Sequence, residues 1–159
     1  MLDVGFDGEQ EYRKILDILR MDVPDKTPRK TEKFNDASLP EVKQLLDESL
    51  LKPHASHNGS PTASWLVEFV EGLDVEDDYY NNWMFMGYVI PPRRSDSRVS
   101  LTGIQRYRPI PDDIRETFIR ELSMDGVRSF EERRANNGAP VTEPDEFYHD
   151  ESELRAWWD

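Results

Sequence analysis

Apolar positions recur along the chain with two distinct periods. Tyr12, Ile15, Leu16 and Leu19 are three and four residues apart, which predicts a helix over residues 7–20, with Asp7 and Gln10 spaced as an N-cap and its reciprocal partner. Ser38 opens a second helix, with Pro40 in the first turn and Glu41 three residues on as a capping box. Val42, Leu45, Leu46 and Leu50 form its apolar stripe, and Lys52-Pro53 is its expected end. Trp65, Leu66, Phe69, Val70 and Leu73 predict a third helix within residues 64–73. Pro109, Pro111, Asp112 and Asp113 mark the start of a fourth, whose buried stripe is Ile114, Phe118, Ile119 and Leu122 and whose stop is Asp125-Gly126. A short fifth helix is expected from Ser129 to about Asn136, closed by Asn137-Gly138.

The second period is that of a strand. Trp83 to Ile90 is the one long unbroken apolar run, rich in aromatic and β-branched residues, and predicts a strand buried on both faces. Val99 and Leu101 alternate with Ser100 and Thr102, as in a half-buried strand. Two prolines and a Ser/Asp cluster separate the two runs and favour a turn. An antiparallel hairpin from Tyr79 to Arg108 follows. The expected fold is therefore α+β: a central antiparallel hairpin or small sheet covered by three to four helices.

Both ends depart from these patterns. Residues 21–37 carry two prolines, four basic and four acidic residues, with little periodicity, and predict a linker or extended arm with Phe34 as an anchor. Residues 143–159 hold seven acids and one arginine, yet end in Leu154, Trp157 and Trp158. A purely solvating tail would not carry adjacent tryptophans, so these either fold back onto the domain or insert into another subunit. The expected organisation is an N-terminal helix and arm over residues 1–37, a core domain over 38–138, and an acidic, Trp-containing tail over 139–159.

Composition narrows the function classes. A chain of 159 residues suits one compact core. Thirty-three acidic against twenty basic residues give a net charge of -13, which opposes general binding to phosphate backbones and anionic membranes. Direct nucleic-acid binding and membrane partners are not expected. The acid excess, fourteen Arg against six Lys and the absence of cysteine also suit halophilic adaptation. Without cysteine there is no thiolate nucleophile, disulfide or Cys-ligated zinc. No basic region followed by an apolar stretch opens the chain, so a soluble cytoplasmic or virion protein without a classical secretion signal is expected.

No catalytic or cofactor motif emerges. The serines lack a nucleophile-elbow setting, and the eight glycines are scattered singly instead of forming a phosphate loop. His54 and His57 lack the further ligands of a metal site. The carboxylates from Glu68 to Asp78 lack calcium-loop spacing. The expectation is no catalytic, cofactor or metal residues. What departs from the acid background is the set Arg93, Arg94, Arg98, Arg106 and Arg108, suited to bidentate contact with carboxylates or phosphates. With Phe34, Trp157 and Trp158 these are the expected partner-binding residues. The leading expectation is a non-catalytic structural or adaptor subunit of a larger assembly, plausible for a viral or phage particle, with other protein subunits as partners. The alternative is an acidic inhibitor or DNA mimic that blocks the basic cleft of a nucleic-acid enzyme.

Overall fold

The computed structural model describes residues 4–22, 30–55, 60–73, 83–92, 98–107, 110–122 and 144–158. The elements run α1 (Val4–Ile18), β1 (Glu32–Ala37), α2 (Leu39–Asp47), α3 (Ala63–Leu73), β2 (Trp83–Val89), β3 (Val99–Tyr107), α4 (Asp112–Leu122), β4 (Glu146–His149) and β5 (Glu153–Trp157). The strands form one antiparallel sheet in the order β1-β2-β3-β5-β4. The expected hairpin is its centre, with Trp83 opposite Arg106 and Val89 opposite Val99.

Three strands come from stretches whose composition points to an arm or a tail. Residues 32–37, within the expected arm, are an edge strand pairing with β2. Within the expected tail, β5 inserts between β3 and β4, so the chain's last strand is interior. The fifth helix expected at residues 129–136 lies outside the described residues.

The C-terminal ends of α1 and α2 differ from expectation by a few residues, for one physical reason. Instead of running to Arg20 and Lys52, α1 and α2 stop at Ile18 and Asp47. Arg20 and Ser49 turn left-handed, with φ of 59° and 60°. The amides of Met21 and Leu50 then reach back to the carbonyls of Leu16 and Leu45 at 2.8 and 2.9 Å. The amides of Arg20 and Ser49 bond Asp17 and Leu46. These paired bonds are Schellman caps without their usual glycine. At its start α2 has the expected capping box: the Glu41 amide donates to Ser38 Oγ, and the Ser38 amide to Glu41 Oε1 at 2.9 Å. The first helix begins at Val4, ahead of the expected Asp7 cap.

All four described helices cover one face of the sheet. Directly opposed residues share a face, as do positions two apart along a strand. Phe85, Ile104, Ala156 and Phe147 form one such row across four strands. They meet Ile15 and Leu16 of α1, Val42 and Leu45 of α2, Leu66 and Val70 of α3, and Phe118 of α4 in a continuous core. Aromatic contacts tie the layers, from Phe69 through Trp83 and Phe118 to Phe147, with centroids 5.3–6.3 Å apart.

β3 departs from the predicted alternation, because Ser100, Thr102, Gln105 and Arg106 are all buried. It is an inner strand, and its register slips by one residue: Met86 faces Gly103 while Gly87 faces Leu101. Thr102 is the extra residue of this bulge, which turns Val99 and Leu101 to the helical side. Gly87 makes the close approach possible, since a Cβ there would lie 1.9 Å from the Ser100 carbonyl oxygen.

Candidate functional site

The described residues among those expected to bind partners are dispersed in the fold. Phe34 is 4% exposed and lies over Gly87 on the helical face. Trp158 is fully buried in the core, and its amide donates to the Thr102 carbonyl at 2.9 Å. Trp157 is 3% exposed and lies on the opposite face, its ring 5.8 Å from that of Tyr88. The tryptophans thus fold back onto their own domain.

The two described arginines of the expected cluster do not meet. Arg98 and Arg106 are eight residues apart on β3 and its approach, roughly 26 Å at the rise of a strand. Arg98 Nε lies 3.1 Å from Glu11 Oε1 of α1, an acidic contact within the same chain. Arg106 is fully buried, opposite Trp83 on one side and Leu154 on the other, with its guanidinium carbon 5.8 Å from the Trp83 ring centroid. Arg93, Arg94 and Arg108 lie outside the described residues.

Glu11 and Arg98 border a pocket of about 110 Å³, lined also by Ser49, Leu50, Lys52, Ala55 and Val99. That volume holds only a few waters or a very small ion, and the acid and base lining it are already paired. Among the described residues no group of three or more His, Asp or Glu is placed to hold a metal ion.

The side of the sheet away from the helices offers a more distinctive surface. The cross-strand register places Tyr107, Glu153, Arg155, Tyr148 and Glu146, together with a buried Gln105, on this face, called the open face for its two exposed tyrosines, spanning β3, β5 and β4. Tyr107 and Tyr148 are 46% and 50% exposed, the only large hydrophobic side chains so exposed among the described residues. Strand spacing and rise put their Cα atoms roughly 12 Å apart. Arg155 lies between them with Nε 3.0 Å from Glu146 Oε1 and Nη1 3.9 Å from Glu153 Oε2. Further along the same face, Lys33 Nζ sits 4.5 Å from the Trp157 ring centroid. Trp157 can lie flat here because Gly103 opposite it has no side chain: an added Cβ would be 2.8 Å from Trp157 Cε3.

The β4–β5 turn is rigidly built. Asp150 Oδ1 accepts from the Ser152 amide and hydroxyl at 2.8 Å and from the Glu153 amide at 2.9 Å. The two Ser152 bonds and the Glu153 amide hold the Asp150 carboxyl below its usual range. On the outer strand, Arg115 Nε of α4 donates to the His149 carbonyl at 2.9 Å. This contact ties the edge strand to the helical layer.

The signal for Tyr148 and Arg155 was present as short alternations, EFYH and ELRAW, masked by the acid content around them, whereas Tyr107 ends the second strand of the expected hairpin. Which alternate set faces solvent is decided by the neighbouring strand.

No protein-family model, no curated protein and no solved structure matches this chain. Among the described residues no helix is long and apolar enough to cross a membrane.

Proposed function

We propose that this chain is a non-catalytic structural or adaptor subunit of a larger protein assembly, of the kind that builds viral or phage particles, and that it meets its partner through the open face of the sheet. The observation that carries this reading is the exposure of Tyr107 and Tyr148 on one surface. Tyrosine contributes large contact area at little conformational cost and is enriched at protein interfaces. An Arg155 already held by two carboxylates between the rings supplies a preorganised polar centre, so little side-chain entropy remains to be lost on association.

Native mass spectrometry of the chain purified from its source tests the proposal. A complex of defined stoichiometry is expected, and it should be lost in a folded Tyr107→Ala/Tyr148→Ala variant. A bare monomer over a wide range of protein and salt concentrations would overturn it. Displacement of duplex DNA from a captured nucleic-acid enzyme would instead favour the inhibitor reading.

A further inference from the structure

We infer that the partner of the open face is a basic protein segment, whose lysine and arginine side chains lie over Tyr107 and Tyr148 and pair with the carboxylates of the β4–β5 hairpin. This inference rests on the proposed role of that face as an interface.

Charge is the first argument. The hairpin from Asp145 to Arg155 carries Asp145, Glu146, Asp150, Glu151 and Glu153 against Arg155 alone, in a chain of net charge -13. Such a surface steers a cationic partner and repels an anionic one. Arg155 does not oppose an incoming cation strongly, because Glu146 and Glu153 flank it at 3.0 and 3.9 Å.

The second argument is ring chemistry. The face of an aromatic ring attracts a cation, and on this same sheet face Lys33 already occupies the ring of Trp157. Tyr107 and Tyr148 present further rings at about half exposure. The hydroxyl of Tyr107 lies 3.4 Å from Gln105 Oε1, which orients that ring. A basic segment satisfies both features at once: its charges meet the carboxylates, and its cationic heads cover the rings. An acidic or purely apolar segment satisfies neither or only one.

Fluorescence anisotropy with the full chain and labelled nona-arginine and nona-lysine peptides provides the test, with nona-glutamate as the reference. Binding of the basic peptides that weakens with salt is expected, with none of the acidic one. Tyr107→Ala/Tyr148→Ala, which leaves net charge unchanged, should weaken it roughly tenfold. Glu146→Gln/Glu153→Gln should weaken it severalfold, whereas Asp17→Asn/Asp47→Asn, an equal charge change on the exposed helical side, should alter it less than about twofold. Equal losses in the two charge variants, or full affinity in the tyrosine variant, would show binding to bulk charge alone and overturn the inference. If the basic peptides fail to bind while the native complex persists and still needs both tyrosines, the basic-partner inference falls and the interface reading stands. Loss of the complex requirement for the tyrosines would remove both.

Discussion

The two faces of the sheet use aromatic residues to opposite ends. On the helical face, Trp83, Phe85, Phe118 and Trp158 are buried against one another and against aliphatic stripes of four helices. On the open face, Tyr107 and Tyr148 stand half exposed beside an arginine bracketed by glutamates. Trp157 and Trp158 are adjacent in sequence, yet strand alternation sends the first to the open face and the second into the core. One face therefore carries the core burial, and the other bears the two half-exposed tyrosines to which we assign recognition. The contrast can be broken by substitutions that affect only one of these roles.

The largest effect should separate the faces outright. Trp158→Ala leaves a cavity among core side chains and should cost about 3–5 kcal/mol of stability in urea titration. Tyr148→Ala should stay within about 0.5 kcal/mol of the native protein. A comparable loss in both would mean that Tyr148 is part of the core energetics.

Next come the two arginines of β3 and its approach. Arg106→Glu puts a carboxylate into the interior beside Trp83 and should cost about 3 kcal/mol or more. Arg98→Glu sets like charges together near the surface, opposite Glu11, and should cost about 1 kcal/mol, a difference that thermal melts would resolve. Similar losses at both positions would contradict the burial contrast between them.

The α2 capping box should contribute less and depend on pH. Burial alone would push the Glu41 carboxyl up, but hydrogen bonds from Arg20 and the Ser38 amide outweigh it and hold the group below the usual carboxylate range. Arg20 Nε donates to Glu41 Oε2 at 2.5 Å. A group with a depressed folded pKa stabilises above its unfolded value, about 4.3 for Glu, and that stabilisation is lost as pH falls through the folded value. Ser38→Ala should cost about 1 kcal/mol at pH 7. The stability difference between the native protein and Glu41→Gln should shrink as acid is added below that unfolded value; a difference independent of pH would exclude the ionised contact as its source.

The smallest change is a gain. Ser49 adopts φ of 60° at the end of α2, where glycine carries no Cβ penalty. Ser49→Gly should raise stability by about 0.5–1 kcal/mol, with binding at the open face unaffected. A destabilised variant would show that the serine side chain outweighs the backbone strain.

The helical layer was legible because its signals are local. Periodic Leu, Ile and Phe positions, the Ser38–Glu41 box and the acidic first turn of α4 each act within one or two turns of chain. The central hairpin was legible because its strands are adjacent and the run from Trp83 is strongly apolar. β1 and β4 were not, since EKFNDA and EFYH are short, polar-rich edge strands. The candidate surface was missed for a related reason: acid content made residues 143–159 read as a tail, although Leu154, Ala156 and Trp158 form the buried alternation of a strand and its exit. Of the arginines grouped by nearness in sequence, the two described ones, Arg98 and Arg106, are separated by the length of β3 and by burial.

By itself the sequence determined the α+β class, the four described helices and the pairing of β2 with β3, because periodicity, caps and turn residues act over short spans. Only the tertiary structure decided that β5 enters between β3 and β4, that Arg106 is interior and that Tyr107 and Tyr148 share an open face. Strand partnership is a non-local choice, made where the buried sides of distant segments complete one another. A residue on a strand acquires its inside or outside only when that choice has been made.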